Sequence, residues 1–282
     1  MQSGTVVNST TIDQGKAGGD KLSAAPSPLA GFTLTAGRAL SVITVLVAIW
    51  WAGVAIFEPA PFILPGPIAV AATLIEQGPH LLWHAGLTLT EIILGLLLGS
   101  VLGIATALAV NAFPVGRRFV MPVVMASQAL PVFAIAPLLI LWFGLGLGSK
   151  IAMATLIIYF PVASALNDGL TRAQGHLIDL ARLWDASPWQ TLTRFRLPAA
   201  MPSLASGLRV AATIAPIGAV VGEWVGAAGG IGFVINQANA RMQTDTVFAG
   251  LVLLMIMVVV LRAAVDFALD RLVHWAPRTQ TF

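Results

Sequence analysis

The sequence predicts an all-α protein that is embedded in a membrane and crosses it six times. Of its 282 residues, 57% are hydrophobic and only 10% are charged, whereas soluble domains carry about 25% charged residues. Such a chain could not cover the surface of a water-soluble globule, which excludes a soluble enzyme. The long unbroken apolar runs also disfavour a transmembrane β-barrel, because barrel strands alternate polar and apolar residues.

The first two apolar stretches cover residues 40–57 and 87–110. They are close to the ~20 residues that a helix needs to cross the hydrocarbon core of a bilayer. In the second stretch Gly95, Gly99 and Gly103 recur at every fourth position, and such a row of small residues lets two helices approach closely. The row predicts either tight packing inside one subunit or a seam between two subunits.

The remaining stretches cover residues 119–143, 151–166, 204–225 and 247–269. The stretch at 151–166 is short, so its ends are the least defined. Prolines inside the third, fourth and fifth stretches predict local kinks, where neighbouring helices must satisfy the freed backbone groups. These prolines are Pro131, Pro137, Pro161 and Pro216.

The domain organisation follows from these stretches. Residues 1–36 are rich in Ser, Thr, Gly and Ala and are interpreted as a flexible cytoplasmic tail. Residues 37–276 form a single transmembrane domain, and residues 277–282 form a C-terminal tail. The chain contains no cysteine, which excludes disulfides and thiolate metal sites.

Lysine and arginine determine the predicted orientation. With a cytoplasmic N-terminus, thirteen of the fifteen basic residues fall in cytoplasmic segments, and only Lys150 and Arg241 fall outside. This distribution follows the positive-inside rule and predicts that both termini are cytoplasmic. It also accounts for the sequence pI of about 10.0, so that no nucleic-acid partner is expected.

The largest cytoplasmic segment, residues 167–201, is polar but patterned. Apolar residues recur in it at helical spacing, and Ser187 and Pro188 predict the start of a new turn. Amphipathic helices that lie on a bilayer favour Lys and Arg on their polar face. This one mixes aspartates with its arginines, which favours docking to a protein partner.

Residues 179–198 resemble the coupling-helix signature of ABC importer permeases. That signature reads Glu-Ala-Ala, three residues, Gly, then about nine residues before an apolar residue, one further residue and Leu-Pro. Asp179 stands at the glutamate position, Ala181 at the second alanine, and residues 197–198 match the Leu-Pro. The segment lies between the fourth and fifth stretches, inside the largest cytoplasmic loop.

The segment departs from the signature at two positions. Leu180 replaces the first alanine, and Asp185 replaces the glycine that permits the turn between two short helices. Aspartate tolerates turn conformations better than most residues, so the bend is expected to survive.

Other segments are similar to the nitrate/sulfonate/taurine-type branch of these permeases. The pair Trp184–Asp185 and the Glu-Trp-Val-Gly segment at 223–226 look most like permeases for thiamine pyrimidine precursors such as hydroxymethylpyrimidine. The segments that carry the branch resemblance are 64–67, 88–92, 131–144, 222–226 and 239–245.

The resemblance implies a type I ABC importer permease fold and a homodimer in the bacterial inner membrane, with the coupling helices within residues 168–200. It also implies a cytoplasmic ATPase subunit, which would bind ATP and Mg, and an extracytoplasmic substrate-binding protein. The chain itself lacks a phosphate-binding loop, because the glycine-rich segment 144–150 has the wrong spacing. We therefore expect neither a catalytic residue nor a cofactor in this chain.

The residues expected to contact the ATPase lie in the coupling segment, where the tryptophans would anchor the interface. Arg182, Arg194 and Arg196 either pair with lipid phosphates or pair with aspartates of the same loop. The expected contact residues are Asp179, Leu180, Ala181, Arg182, Trp184, Asp185, Ala186, Ser187 and Trp189.

Polar groups inside predicted spans are candidates for the substrate path. They are Ser127, Gln128, Glu223 and Trp224. Three of them have an alternative interpretation. Trp224 could be an interfacial belt residue, Glu223 could pair with Arg241 or dock the binding protein, and Gln128 could bridge two helices.

No metal site is expected, because His80 and His84 have no nearby set of further ligands. Asp266 and Asp270 share a helix face beside Arg262 and predict an exposed strip of ion pairs.

An ion-coupled secondary transporter without an ATPase is the alternative function. Such a transporter would favour ionisable groups at mid-membrane and an internal repeat. No ionisable group lies at the centre of the first five stretches, and no repeat is evident.

A membrane anchor for an enzyme complex is a weaker alternative, because it would need neither kinked spans nor a polar third helix.

Overall fold

The computed structural model describes residues 28–127, 131–172 and 175–275, and every regular element in these ranges is a helix. The chain divides into two units, Met1–Ile49 and Trp50–Phe282. The helices are α1 (Pro28–Phe57), α2 (Pro67–Glu76), α3 (Gly78–Ala112), α4 (Pro114–Ser127), α5 (Val132–Phe143), α6 (Leu147–Thr171), α7 (Gly175–Leu183), α8 (Pro188–Gln190), a π-helical segment (Thr191–Arg196), α9 (Leu197–Gly226), α10 (Ile231–Ala240) and α11 (Thr244–Leu272).

Four of the described helices are long and apolar enough to cross a membrane. They are α3, α6, α11 and the continuous helix Pro188–Gly226, which joins α8, the π-helical segment and α9. These helices contain the second, fourth, fifth and sixth predicted stretches. The apolar helices Ser41–Phe57 and Val132–Phe143 are shorter, so the described residues show four such spans rather than six.

The third predicted stretch, residues 119–143, is two helices instead of one. Helix α4 ends at Ser127 and α5 begins at Val132, after Pro131 in an extended conformation. A proline disfavours helical geometry in the residue before it and removes a backbone donor. Hydropathy could not show this division, because both halves are apolar.

Several helix boundaries also differ from the prediction. Helix α1 begins at Pro28, inside the predicted tail, while residues 1–27 and 276–282 lie outside the described residues. Helix α3 begins at Gly78, well before residue 87, because its N-terminal half carries polar residues on a buried face. Apolar content alone marks only the part of a helix that is apolar on every side.

Helix α6 is packed between α3 and α9. Its residues Ile158, Val162 and Leu166 are fully buried in the largest apolar core. A Cβ atom built on Gly95 of α3 would overlap the Ala154 Cβ, and one on Gly207 of α9 would lie 2.9 Å from the Pro161 carbonyl oxygen. The backbones therefore approach more closely than larger residues would allow.

The glycine row of α3 faces α6 of the same chain. Gly99 lies against Ile158 and the Thr155 carbonyl, and Gly103 lies against the Tyr159 carbonyl. Of the two alternatives, the structure therefore shows packing inside one subunit.

We expect Gly95→Ala to lower the stability of the folded protein by about 1–3 kcal/mol, because overpacking forces neighbouring backbones apart. Gly86→Ala in the same helix is the matched control, since a Cβ there meets nothing within 4 Å. Alanine at that position should raise stability by about 0.5–1 kcal/mol. Thermal unfolding in mild detergent measures the stability of both variants. Equal unfolding midpoints for Gly95→Ala and Gly86→Ala would contradict the packing argument.

An ion-pair network joins α9 to α11. Arg209 Nε lies 2.8 Å from Asp266 and its Nη2 lies 2.9 Å from Asp270, while Arg262 Nε lies 2.8 Å from Asp266. The predicted pairing of Arg262 with Asp266 is therefore confirmed, although both side chains are half-buried rather than exposed, and Asp270 pairs with Arg209. The network also includes Arg209 of α9. It therefore links α9 to α11 and does not consist only of pairs within α11.

Candidate coupling surface and buried polar cluster

The loop that carries the coupling signature turns at Asp185. This residue has φ of 47°, in the left-handed region where aspartate is several-fold enriched among residues other than glycine. The Ala186 N–H donates to the Ala181 carbonyl at 3.0 Å, and the Asp185 N–H donates to the Arg182 carbonyl at 3.0 Å. The bend expected at the glycine position of the signature is confirmed with aspartate in its place.

A capping box starts the helix that follows the turn. The Gln190 N–H donates to Ser187 Oγ at 3.3 Å, and the Ser187 N–H donates to Gln190 Oε1 at 3.0 Å. From Pro188 the helix runs without interruption through the π-helical segment to Gly226, over 39 residues. The turn is therefore attached directly to one long helix.

Three apolar side chains project from this loop. Leu183 is 81% exposed, Trp184 75% and Trp189 64%. The edge of the Trp184 ring points at Phe195, with 6.5 Å between ring centroids. These three residues form what we call the apolar knob. Leu183 was not among the expected contact residues, although it continues the apolar pattern of α7.

The structure removes Ala181 from the exposed contact residues. Only 1% of Ala181 is exposed, because it lies on the face of α7 that turns towards its own chain. Leu180 is 41% exposed, Ala186 is half-buried and Ser187 is exposed.

Arg182 pairs with Asp179 in the same loop, at 3.4 Å, with both side chains largely exposed. Arg182 therefore pairs with an aspartate of the same loop, which is one of the two expected alternatives, the other being lipid phosphate. The Nε of Arg196 is buried and has no hydrogen-bond partner among the described residues.

Of the four predicted substrate-path residues, the structure describes the side chains of Glu223 and Trp224, and it does not bring these two together. Ser127 is the last residue of α4, and Gln128 lies outside the described residues. Glu223 is only 1% exposed, whereas the neighbouring Trp224 is 46% exposed and lies 6.3 Å from the Phe133 ring. Consecutive residues point in different directions on a helix, so these two side chains face different surroundings.

Glu223 belongs to a group that we call the buried polar cluster, formed by His84, Thr88, Glu91, Lys150 and Glu223. All five side chains are buried. Lys150 Nζ lies 2.9 Å from Glu91 Oε1, and the Thr88 hydroxyl lies 2.6 Å from Glu223 Oε1. The sequence placed Lys150 in an outer loop and gave Glu91 no partner. The structure shows instead an ion pair between α3 and α6.

The buried polar cluster holds the start of α10. The Gly230 N–H donates to His84 Nδ1 at 2.9 Å, the Ile231 N–H to Thr88 Oγ1 at 2.8 Å, and the Gly232 N–H to Glu223 Oε2. The first N–H groups of a helix lack partners within the helix, and here side chains of α3 and α9 supply them. Glu223 is thus engaged by Thr88 and by the first turn of α10, not by Arg241.

Lys150 completes this arrangement by donating to the Gly229 carbonyl at 3.3 Å. Gly230 has φ of 112°, and a Cβ atom there would overlap the Glu223 carboxyl group. Glycine is therefore required where the chain passes over this carboxyl.

A cleft of about 620 Å³ opens between α4 and α6. Asn167, one of its lining residues, accepts from the Asn111 side chain at 3.1 Å. The cleft combines apolar, aromatic and charged groups, and the sequence gave no signal for it. Its lining residues are Arg118, Met121, Pro122, Met125, Phe160, Ser164, Asn167 and Asp168.

Within the described ranges, no group of three or more His, Asp or Glu side chains could hold a metal ion. His80 and His84 lie 3.1 Å apart through their Nε2 atoms. The Nδ1 atom of His84 already accepts from Gly230.

Long apolar helices, a buried polar interior and an exposed helical loop with the coupling signature define a helical membrane permease. Residues 85–276 match the family described as "Binding-protein-dependent transport system inner membrane component". The chain belongs to this family of ABC transporter permeases, which confirms the resemblance.

Curated relatives agree with this family. A probable ABC transporter permease protein of Haemophilus influenzae is 45% identical over 236 residues, covering 84% of this chain and 96% of the relative. The formylaminopyrimidine transport permease protein ThiX of Halalkalibacterium halodurans is 34% identical over 216 residues, covering 76% and 86%. The taurine transport system permease protein TauC of Escherichia coli is 30% identical over 248 residues, covering 86% and 90%.

A solved structure shows the same fold. An inward-facing conformation of the MetNI methionine ABC transporter matches with a TM-score of 0.60 at 23% identity. The match covers 70% of this chain and 96% of the matched chain.

Proposed function

We propose that this chain is the transmembrane permease subunit of an ATP-driven importer in the bacterial inner membrane. A small polar solute would pass inward by alternating access, while ATP with Mg is hydrolysed in a separate cytoplasmic subunit. The single observation that supports this best is the apolar knob on a rigid turn. Exposed tryptophans and a leucine in water are costly unless a partner covers them.

The knob is well placed to transmit movement. It adjoins the helix Pro188–Gly226, which at about 1.5 Å per residue is some 58 Å long. Glu223 lies near the far end of this helix. A shift of the knob in an ATPase cleft would therefore tilt the whole helix against α6, with which it shares its closest packing.

The rest of the assembly follows from the family. We propose a homodimer with the pathway at its two-fold axis, one ATPase subunit for each permease, and a binding protein on the outer side. We further propose six spans, with α1 and the pair α4 and α5 supplying the two that length and composition leave open. Both termini would then be cytoplasmic, as the distribution of Lys and Arg indicates.

The substrate is proposed to be a small polar heteroaromatic compound of the pyrimidine-precursor type. The relative ThiX, which is named for formylaminopyrimidine, supports this class. The riboflavin permease RibX of Chloroflexus aurantiacus is equally similar, at 34% identity, so the choice of a pyrimidine over a riboflavin-like compound rests on the resemblance of residues 184–185 and 223–226. Trp224 and Phe133 offer exposed aromatic faces on which a flat ring could stack. The cleft at Arg118 and Asp168 supplies charged groups on the way inward.

We expect Leu183→Asp to abolish the co-purification of an ATPase with the full-length permease from its native membrane. A buried carboxylate in an apolar cleft has no partner and costs several kcal/mol. Leu183→Met is the matched control, because it keeps an apolar side chain of similar volume at the same exposed position. Mass spectrometry of the proteins that co-elute in mild detergent is the measurement.

Retention of the ATPase by Leu183→Asp at the wild-type ratio would contradict the proposed docking surface. If the wild-type protein retains no ATPase in several detergents, the proposal of an ATP-driven importer fails as a whole.

A further inference from the structure

The cleft between α4 and α6 is enclosed by one face of each helix. Its lining residues recur at spacings of three or four along the chain, as Arg118, Met121 and Met125 do on α4. Residues at these spacings share one side of a helix. The volume of about 620 Å³ is within the range of roughly 300–1,000 Å³ that sites for small molecules occupy. The cleft is therefore large enough for a solute molecule.

Asn167 presents a hydrogen-bond donor at the wall of the cleft. The residue is only 5% exposed, and its Oδ1 accepts from Asn111 at 3.1 Å. Asn111 in turn donates to the Ala107 carbonyl at 2.8 Å, which holds the two amides in place. The NH2 group of Asn167 has no acceptor among the residues that the structure describes. Because buried polar groups are nearly always hydrogen-bonded, this group indicates a ligand that accepts a hydrogen bond.

Two opposite charges line the same end of the cleft. Arg118 lies near the beginning of α4 and Asp168 near the end of α6, which is the cytoplasmic end in the predicted orientation. Neither side chain forms an ion pair with another residue in the described ranges. A guanidinium can only donate hydrogen bonds, and an ionised carboxylate can only accept them. A ligand that contacts both must therefore carry an acceptor and a donor.

The rest of the lining is apolar and fits a flat ring. Phe160 offers an aromatic face, and the thioethers of Met121 and Met125 make favourable contacts with aromatic rings. An aminopyrimidine combines such a ring with a ring nitrogen that accepts and an adjacent amino group that donates. A nitrate or sulfonate ion offers Asp168 no donor, and taurine offers Phe160 no ring.

We propose that this cleft binds the solute on the cytoplasmic side, with the amino group of the ring donating to Asp168 and a ring nitrogen accepting from Asn167. The inference rests on the proposed function for the class of its ligand and adds a second site to it. Gly169 lies against Ala200 at the beginning of α9, whereas Trp224 is near the end of that helix. Binding from the cytoplasm then needs neither ATP nor a binding protein.

The first test measures binding of radiolabelled hydroxymethylpyrimidine, which carries an amino group on its ring, to the purified full-length permease in mild detergent. We expect saturable binding without ATP in equilibrium dialysis. Asp168→Ala should weaken it by about tenfold or more, because hydrogen bonds to a charged acceptor are among the stronger ones. The analogue with an oxo group in place of the amino group should bind the wild type and Asp168→Ala equally weakly. Glu76→Ala, at an exposed glutamate outside the cleft, is the control and should bind as the wild type.

The second test locates the solute in the cleft. The chain contains no cysteine, so Ser164→Cys places a single thiol among the lining residues. We expect a water-soluble maleimide to label this thiol, and saturating hydroxymethylpyrimidine to slow the labelling by about threefold or more, as occupancy by mass action requires. The thiol of Glu76→Cys should react at a rate that the solute does not change. A thiol at position 164 that is never labelled would mean that lipid or a second copy of the chain fills the cleft, which would overturn the proposal.

Failure of this inference and failure of the proposed function give different results. Equal affinity of the wild type and Asp168→Ala for hydroxymethylpyrimidine would overturn the site, as would the absence of saturable binding. The proposed function would still stand if the ATPase co-purifies and cells take up the solute. If no ATPase co-purifies and no solute is taken up, the importer itself is contradicted.

Discussion

Asp185→Val is expected to abolish ATPase binding and solute uptake while the transmembrane helices stay folded. Asp185 adopts φ of 47° at the turn between α7 and α8. A β-branched residue is a genuine outlier in this conformation, and non-glycine residues forced into it cost about 1–3 kcal/mol. The turn would open, and Leu183 and Trp184 would lose their position relative to Trp189.

Asp185→Gly is the matched control for this prediction. It restores the residue of the coupling signature and adopts a positive φ without strain, so ATPase binding should stay within about twofold of the wild type. Stoichiometry of co-purified ATPase and uptake of a radiolabelled pyrimidine precursor in cells measure the two effects. If Asp185→Val assembles and transports like Asp185→Gly, the geometry of this turn is not required for coupling.

The structure of the coupling loop was largely predictable, because the residues that determine it are close together in the sequence. A turn residue, a capping box and an amphipathic pattern all lie within twenty residues of sequence, and the expected bend at Asp185 is present. The misassigned residue, Ala181, shows the limit of this reasoning. A motif gives the residue types of a segment, but which face of α7 turns inward depends on helices that pack on it from elsewhere in the chain.

The buried polar cluster could not be predicted in the same way. Glu91 and Lys150 are 59 residues apart in sequence, and Glu223 joins them from a third helix. Considered alone, each of these three residues was expected to lie near the outer membrane surface. Only the close packing of α3 and α9 against α6 brings them together, and this packing depends on glycines whose partners the sequence does not identify.

The differences between the predicted and observed helix boundaries also arise because hydropathy does not report packing between helices. Hydropathy found the central parts of α3, α6, α9 and α11, where apolar residues surround the helix. It missed the beginning of α3, where His84 is polar and yet buried and bonded to the start of α10. It also joined α4 to α5, because apolar content does not register the extended conformation of Pro131.

Lys150→Met should have the largest effect on stability of any single substitution in the buried polar cluster. The methionine stem keeps the contacts that Lys150 makes with Gly222, but the ammonium that faces Glu91 at 2.9 Å is lost. Breaking a buried ion pair by removing one partner costs about 3–5 kcal/mol, because the other charge stays buried without compensation. We expect the thermal midpoint to fall by about 10 °C, with loss of much of the folded protein.

Two variants separate charge from packing in this prediction. Arg182→Met breaks the exposed pair with Asp179, and exposed pairs contribute about 0–1 kcal/mol, so its midpoint should stay near that of the wild type. Lys150→Met combined with Glu91→Gln removes both buried charges, and removing a whole buried pair is often neutral. The double variant should therefore recover most of the lost midpoint. If it is no more stable than Lys150→Met alone, the contribution of Lys150 lies in its packing rather than in its charge.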